Sequence, residues 1–308
     1  MPSESFERLQ AAKKRILQTA LPILDESTDL QSEARTESAR TRAPWGVGIT
    51  RAEDGELALL VLGELDEESR RAISEAAGID RVLLGGAIDA EPLGRVAGSG
   101  LAGRLEGTLG AVCYDRGGNR GVLTALHVAL DLYDQQARTL HFGGTALADT
   151  WHPSRRDPQR LYADAVFAPL RSGVSVDPRQ GGFDPVEQSV LVSDPEQLLR
   201  QPVVKWGAAS GRSDGVVDAV AFDILGVPGF SDVPGFTVSL RDQILVSSGF
   251  AVPGDSGALA WLRDYQLALG LVSARVRSEL GERIAVSAWW NIDAVLGVVL
   301  AAEEAPVA

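Results

Sequence analysis

The chain has 308 residues, of which 45% are hydrophobic and 23% are charged, as is usual for a globular protein with enough apolar residues to form a core. Its 29 basic and 42 acidic residues give a formal net charge of -13, which disfavours binding to a nucleic-acid backbone. The longest apolar runs, at 57–62 and 295–302, are too short to cross a bilayer, and the single cysteine, Cys113, excludes an intrachain disulfide and a cysteine-based zinc cage.

The first predicted element is an amphipathic helix over residues 5–24. Apolar residues recur there at spacings of three and four, and Pro22 is expected to kink or end the helix near Leu21. One amphipathic helix cannot bury its own apolar face, so it must dock on the body of the protein or on a second copy. Residues 25–42 are polar and charged, and we interpret residues 1–44 as this helix followed by a polar linker.

A small α/β unit is predicted over residues 45–104. Two β-like segments, at 47–50 and 56–63, flank the hairpin signal Glu53-Asp54-Gly55. A helix is predicted over 64–77 with Gly78 as its C-cap, and another strand at 80–85. Because this β-β-α-β pattern contains no cluster of nucleophile, base and acid, we interpret it as an accessory domain.

Residues 105–308 consist of short β-rich segments separated by turn residues. About ten short strands with such punctuation are typical of an all-β barrel or a sandwich pair. A closing helix is predicted from Asn291, which is a good N-cap residue. The predicted fold class is therefore mainly β. The strands are predicted at 108–114, 121–128, 138–142, 164–170, 202–206, 216–222, 237–246, 258–262, 267–273 and 284–289.

Three short strings in this region carry residues suited to nucleophilic catalysis. An apolar strand ends in His127, Asp164 opens another apolar strand, and Ser256 lies in the string Gly254-Asp255-Ser256-Gly257. A serine hydroxyl is a poor nucleophile at neutral pH, so an imidazole must accept its proton, and a carboxylate on the far ring nitrogen must fix the tautomer. We therefore interpret Ser256 as the nucleophile, His127 as the general base and Asp164 as the orienting acid.

The glycines around Ser256 suit the same chemistry. The carbonyl oxygen under attack gains charge in the tetrahedral intermediate and needs preplaced hydrogen-bond donors. Gly254 lets the backbone turn so that the N–H groups of Gly254 and Ser256 converge, and Gly257 lets the chain enter the next strand without crowding the nucleophile. These two N–H groups are the predicted oxyanion hole.

Three longer strings, Glu106–Val112, Gly118–Leu132 and Val203–Val217, resemble the trypsin-like peptidase superfamily, and within it most resemble the narrow-leaf (NAL) type proteins of plants and their bacterial relatives. The resemblance implies a double β-barrel with a catalytic triad of His127, Asp164 and Ser256 between two six-stranded barrels, and Gly254 as an oxyanion donor. It also implies a serine endopeptidase that cleaves protein or peptide substrates through an acyl-enzyme. We expect no cofactor and no metal, because the three histidines and nearby carboxylates match no recognised metal-ligand spacing.

The sequence departs from the trypsin pattern at two places. It has no Ile-Val-Gly-Gly type start, so Asp255 needs another partner, such as an internal arginine or lysine that the sequence does not identify. Phe250 stands where trypsin has an acid at the floor of the substrate pocket, and Ser273 and Arg275 resemble residues of another pocket wall. The pocket is therefore expected to take a small or apolar side chain, or to be occluded.

Other interpretations of the same residues stay open. His127 could be a core histidine, Asp164 could cap a turn, and Ser256 could belong to a purely structural turn. The chain could then be a protease-fold binding or regulatory module without turnover, an alternative favoured by the missing partner of Asp255 and by Phe250. Lys205 precedes a Ser-Gly-Arg string, but it matches no phosphate-binding loop.

The compartment and the partners follow from the remaining features. The first residues lack the basic and apolar pattern of a secretory signal, which, with the single cysteine, favours a cytoplasmic protein. We expect a protein or peptide substrate, no nucleic acid and no membrane. A homo-oligomer formed through the N-terminal helix or the accessory domain stays open, including a self-assembling scaffold.

Overall fold

The computed structural model describes residues 2–25, 44–63, 65, 67–79, 81–92, 107–134, 139–142, 145–150, 152–153, 160–161, 163–177, 186, 188–190, 194–228 and 237–301. All but the first residue of the predicted polar linker lies outside these ranges, as does the predicted domain boundary at 104/105. The division into domains therefore stays a prediction.

The described part of the chain is mainly β, which confirms the predicted fold class. Four α-helices and one short 3-10 helix, Pro195–Leu198, accompany the strands in these ranges. In chain order the helices and strands are α1 (Glu4–Asp25), β1 (Trp45–Arg51), β2 (Leu57–Leu62), α2 (Glu67–Ala77), β3 (Val82–Gly85), β4 (Asp89–Pro92), β5 (Ala111–Tyr114), β6 (Arg120–Thr124), α3 (Leu126–Leu132), β7 (Tyr133–Asp134), β8 (Thr139–Phe142), β9 (Thr145–Ala148), β10 (His152–Pro153), β11 (Arg160–Leu161), β12 (Val166–Pro169), β13 (Gln188–Ser189), β14 (Pro202–Gly207), β15 (Gly211–Pro228), β16 (Thr237–Ser247), β17 (Leu259–Leu262), β18 (Leu267–Ser278), β19 (Gly281–Ala288), α4 (Trp289–Leu296) and β20 (Val299–Leu300).

Helix α1 docks on the body of its own chain. Its apolar stripe, which includes Phe6 and Ile16, is buried in one cluster with residues of β1, β2 and α2. Lys13, on the same helix, forms a buried ion pair with Asp223 of β15 at 3.0 Å. The helix continues through Pro22 to Asp25, so it does not end near Leu21, which was one of the two expected effects of Pro22.

The predicted accessory unit joins the large sheet. The hairpin forms as predicted, with β1 and β2 antiparallel, and β3 lies parallel to β2 after the crossover through α2. Strand β1 also pairs with β15, and β4 pairs with β18. Among the described residues this gives a 12-stranded sheet that contains strands from both predicted domains.

Two smaller sheets complete the described β structure. One has five strands in the order β10-β12-β6-β5-β20, and the other has the order β7-β8-β9. The last described strand, β20, pairs with β5, with Leu300 opposite Cys113, and so belongs to the sheet that carries β6 and β12. No helix in the described ranges is long and apolar enough to cross a membrane.

Several predicted boundaries differ from the structure, and two of these differences concern His127 and the closing helix. The strand expected to run through residue 128 ends at Thr124, and helix α3 follows it. The closing helix begins at Trp289 with Ala288 as its N-cap, so Asn291 lies inside the helix and its side-chain amide donates to Asp242 Oδ2 at 3.1 Å. That helix ends at Leu296 because Gly297 adopts a left-handed conformation, with φ of 64°.

Candidate active site

The three candidate catalytic residues come from three separate elements. His127 lies in the first turn of α3, directly after β6, and Asp164 lies two residues before β12. Strands β6 and β12 pair antiparallel with Val166 opposite Thr124, which brings the two side chains together. Ser256 lies in the turn that precedes β17.

The structure brings the three side chains into one hydrogen-bonded chain. Ser256 Oγ lies 2.6 Å from His127 Nε2, and His127 Nδ1 lies 2.5 Å from Asp164 Oδ2. The backbone N–H of His127 also donates to Asp164 Oδ1 at 3.2 Å. Ser256 and Asp164 are fully buried and His127 is 3% exposed, so bulk water does not compete for these hydrogen bonds. A carboxylate on Nδ1 favours the tautomer in which Nε2 is free to accept the serine proton.

Ser273 contacts both Asp164 and Ser256, the two ends of the hydrogen-bonded row of side chains. Its hydroxyl donates to Asp164 Oδ2 at 2.8 Å, and its carbonyl oxygen lies 3.1 Å from Ser256 Oγ. Burial alone would raise the pKa of Asp164, but the adjacent His127 and the hydrogen bonds from His127 and Ser273 hold that pKa below its usual range. Asp164 is therefore ionised at neutral pH. The sequence predicted Ser273 in a pocket wall, and in the structure its side chain donates a hydrogen bond to Asp164.

The turn before Ser256 is held by Thr108. The Thr108 hydroxyl donates to the carbonyl oxygen of Gly254 at 3.0 Å, and its backbone N–H donates to the carbonyl oxygen of Ser256 at 2.7 Å. Gly254 has a backbone φ of 99°, which residues other than glycine rarely adopt. Within the described part of the chain, the N–H groups of Gly254 and Ser256 donate to no protein acceptor. Sequence reasoning did not find Thr108.

The turn after the nucleophile requires glycine at 257. Gly257 has φ of 86°, and a Cβ atom built there would lie 2.3 Å from Thr124 Oγ1 and 2.4 Å from the Thr108 carbonyl oxygen. Both contacts are closer than atoms tolerate, so the close approach of the turn to β6 depends on this residue. The backbone approach also keeps Ser256 beside the element that leads to His127.

Asp255 has an internal partner, Lys205 of β14. Lys205 Nζ lies 2.8 Å from Asp255 Oδ2, and both side chains are fully buried. Asp255 also accepts from the Ser210 hydroxyl at 2.7 Å and from the backbone N–H groups of Ala209, Ser210 and Val252. The sequence offered one signal for this pair, a lysine inside the apolar strand Val203–Trp206.

The charges of this pair are maintained by their contacts. Burial lowers the pKa of Lys205, and Asp255 opposes that shift. Burial alone would raise the pKa of Asp255, but its hydrogen bonds from Lys205, Ser210 and Val252 hold that pKa below its usual range. Because the carboxylate is stabilised in its ionised form, the turn that carries Ser256 is anchored by an ion pair within one chain.

The other two pocket candidates, Phe250 and Arg275, have contacts of their own. Phe250 is fully buried in the main apolar cluster, with Lys205 Nζ 5.9 Å from its ring centroid, so it offers a substrate no accessible surface in this structure. Arg275 lies two residues beyond Ser273 on β18, where its side chain approaches Glu282 at 3.9 Å. The expectation that these residues line a substrate pocket stays a prediction.

The two other histidines and the single cysteine have contacts apart from the three catalytic candidates. His141 Nε2 bonds to the Thr139 hydroxyl at 2.7 Å, and His152 stacks on Phe167. Cys113 is fully buried, and burial raises the pKa of its thiol, which keeps it protonated and inert. Among the residues that the structure describes, no three His, Cys, Asp or Glu side chains form a group that could hold a metal ion.

We expect replacement of Thr108 by valine to lower kcat about tenfold with little change in KM. Valine lacks the hydroxyl that donates to the Gly254 carbonyl oxygen and accepts from the Ala208 N–H. Without these two hydrogen bonds, the turn that carries the proposed oxyanion donors relaxes. Steady-state kinetics on a purified variant check this, and Thr108→Ser should restore the rate. Thr50→Val is the matched control, because it removes another hydroxyl-to-carbonyl bond, to Asp218, that is remote from Ser256. Equal kcat in Thr108→Val and the wild type would contradict this role.

Comparisons with known proteins give the following. No family model matches the chain, and no curated protein is similar to it. Among solved structures the chain is similar to a Nocardiopsis protease (17% identity, TM-score 0.44, covering 62% of this chain and 90% of the other), to Cellulomonas bogoriensis chymotrypsin (19%, 0.44, 66% and 94%) and to Thermobifida fusca protease A (16%, 0.44, 63% and 90%). Because these identities and TM-scores are low, the functional conclusion depends on the geometry of the site.

Proposed function

We propose that this protein is a serine endopeptidase of the trypsin-like superfamily. The observation that carries the proposal is the buried hydrogen-bonded chain from Ser256 Oγ through His127 to Asp164. The same three residue types, aligned in this way, occur in unrelated hydrolases that form acyl-enzymes, so geometry identifies the chemistry better than sequence position does. The resemblance of the strings quoted above to NAL-type proteins supports a relationship to that group.

Each residue has one role in the proposed reaction. His127 Nε2 accepts the proton of Ser256 as Oγ attacks the carbonyl carbon of a peptide bond, and Asp164 stabilises the imidazolium that results. The N–H groups of Gly254 and Ser256, which lack other acceptors among the described residues, donate to the oxyanion. His127 then returns the proton to the leaving amine, and water releases the acyl group by the same route.

The Lys205–Asp255 ion pair supports a site that forms without cleavage of the chain. In the trypsin pattern Asp255 would take a freshly cut amino terminus as its partner, whereas here an internal lysine supplies the positive charge at 2.8 Å. The anchored turn therefore needs no new terminus. Because Asp255 has a partner, the residue no longer favours the alternative of a binding module without turnover.

A fluorophosphonate probe tests the proposal. We expect the purified protein to be labelled covalently at Ser256, with one probe per chain, because the hydrogen-bonded His127 activates this hydroxyl alone. Intact-mass and peptide-mapping spectrometry identify the site. Ser256→Ala and heat-denatured protein are the controls, and neither should be labelled. Labelling that persists in Ser256→Ala, or no labelling of folded wild type by any of several such probes, would contradict the proposal.

The alternative of a binding module without turnover is favoured by one observation. Ser256 and Phe250 are both fully buried, so neither side chain presents surface to a substrate in this structure. The same labelling experiment separates the two functions, because a module without turnover has no need of an activated hydroxyl.

A further inference from the structure

One edge of β18 passes directly beside the nucleophile. Strand β19 pairs with the other edge of β18 between Gly270 and Ser278. On the edge next to Ser256, β17 pairs as far as Leu271, and the carbonyl oxygen of Ser273 then lies 3.1 Å from Ser256 Oγ. The positions immediately beyond, Ala274–Arg277, belong to the same edge. An extended peptide whose carbonyl reaches Ser256 would add to the sheet there as a strand.

Strand β4 of this chain already occupies that edge. Its four residues pair antiparallel with β18, from Asp89 opposite Arg277 to Pro92 opposite Ala274. The acyl segment of a substrate must place its carboxyl end at the nucleophile and extend away from it towards its amino end, which requires an antiparallel strand at these positions. Strand β4 has this direction, and its carboxyl end is the end closest to Ser273.

Side chains hold β4 in this place. Ala90 is fully buried and Ile88 is 4% exposed, and both pack in one apolar cluster with Ala274 and Val276 of β18. Asp89 forms an ion pair with Arg277 at 3.3 Å between partly exposed side chains. The strand is short, with four paired positions. It is therefore held on β18 by these side-chain contacts and by few backbone hydrogen bonds.

We propose that β4 is an internal inhibitory strand, which occupies the substrate edge of β18 and keeps peptide turnover low until the strand is displaced. This inference rests on the proposed peptidase function, because it assigns regulation to the same site. A substrate, or a factor that binds β4, must compete with the chain's own strand for the Ala274–Arg277 backbone.

A reversible disulfide between β4 and β18 tests the proposal. Ala90 and Val276 are paired opposite each other, and Cα atoms so placed are about 4.5–5.5 Å apart, within the range that a disulfide spans. In the double variant Ala90→Cys/Val276→Cys we expect oxidation to lower turnover of a proteome-derived peptide library at least tenfold, and dithiothreitol to restore it. The single variant Ala90→Cys is the control, because it has no cysteine at position 276 and Cys113 is buried. Its turnover should change by less than twofold on addition of dithiothreitol.

The same experiment separates the inference from the proposed function. If the oxidised and reduced forms of the double variant have equal turnover, or if neither has any, the inhibitory role of β4 is overturned. If Ser256 is nevertheless labelled by the fluorophosphonate in the reduced form, the proposed peptidase function still holds. A reduced form that is neither labelled nor active overturns both.

A second variant releases the strand rather than locking it. Ala90→Asp places a charge in the apolar cluster, and we expect a folded variant to turn over the library at least tenfold faster than the wild type. Thermal melting and circular dichroism check that it is folded. A folded Ala90→Asp with unchanged turnover overturns the inference, and if this variant does not fold, the disulfide variant decides.

Discussion

Replacing His127 by alanine should lower the rate of peptide hydrolysis by at least about 10⁴-fold, and Ser256→Ala and Asp164→Asn should have effects of the same order. Each change breaks one link of the hydrogen-bonded chain that joins the three side chains. In Asp164→Asn the new amide cannot stabilise the imidazolium and favours the wrong tautomer of His127. Rates of fluorophosphonate labelling and of hydrolysis of the peptide library measure the loss against the wild type.

The triad variants have a matched control and a clear contrary outcome. His141→Ala removes another hydrogen-bonded histidine, one that bonds to Thr139 rather than to the site, and it should keep the wild-type rate. Because the three residues act as one unit, the double variant His127→Ala/Ser256→Ala should lose little more than either single variant. Retention of more than about a tenth of the rate in His127→Ala would contradict the proposed role of a general base, which is worth at least 10²-fold.

Replacing Lys205 by methionine should destabilise the protein by about 3–5 kcal/mol and abolish activity. The substitution leaves the Asp255 carboxylate buried without its cation, in the turn that carries the proposed oxyanion donors. Urea unfolding and labelling of Ser256 measure the two effects. The double variant Lys205→Met/Asp255→Asn should recover part of the stability, because it removes the unpaired charge.

An exposed ion pair provides the control for Lys205. Arg212 and Asp214 lie 3.5 Å apart with both side chains about half exposed, so Arg212→Met should cost less than about 1 kcal/mol. The cost of Lys205→Met should also shrink in acid. The ionised Asp255 contributes its full stability above the ordinary carboxyl pKa, about 3.9, and loses it as the pH falls through its lowered pKa in the folded protein. A Lys205→Met protein as stable as the wild type would contradict the anchoring role.

The local part of the site could be predicted from the sequence. His127, Asp164 and Ser256 each stand at the border of an apolar strand, and the chemistry of a serine nucleophile requires these three residue types, so motif and order were enough to select them. The structure places these same three side chains in hydrogen-bonding contact. The need for a partner of Asp255 was also visible, because the sequence lacks the Ile-Val-Gly-Gly type start that supplies this partner in the trypsin pattern.

The identity of the supporting residues could not be predicted, because it depends on pairings between distant parts of the chain. Lys205 reaches Asp255 only because β14 pairs with β17, and Thr108 reaches the Gly254 carbonyl only because the chain before β5 passes beside the turn. The same limit applies to β4. A four-residue strand carries little periodicity, and its place on β18 follows from sheet topology rather than from its own sequence.

Element boundaries failed where local signals competed with tertiary contacts. Asn291 is a good N-cap by type, but its amide bonds to Asp242 on β16, and the helix begins two residues earlier without a side-chain cap. The apolar run after Gly121 reads as one strand, whereas only its first part pairs with β12, and the rest turns into the helix that presents His127.

The crystal structure of the protein after reaction with a small fluorophosphonate tests the central claim most directly. We predict a covalent bond from phosphorus to Ser256 Oγ, with the phosphoryl oxygen about 2.7–3.1 Å from the backbone nitrogens of Gly254 and Ser256. His127 should remain within hydrogen-bonding distance of Asp164. Phosphorus bonded to any other residue, or a phosphoryl oxygen directed away from both nitrogens, would contradict the account.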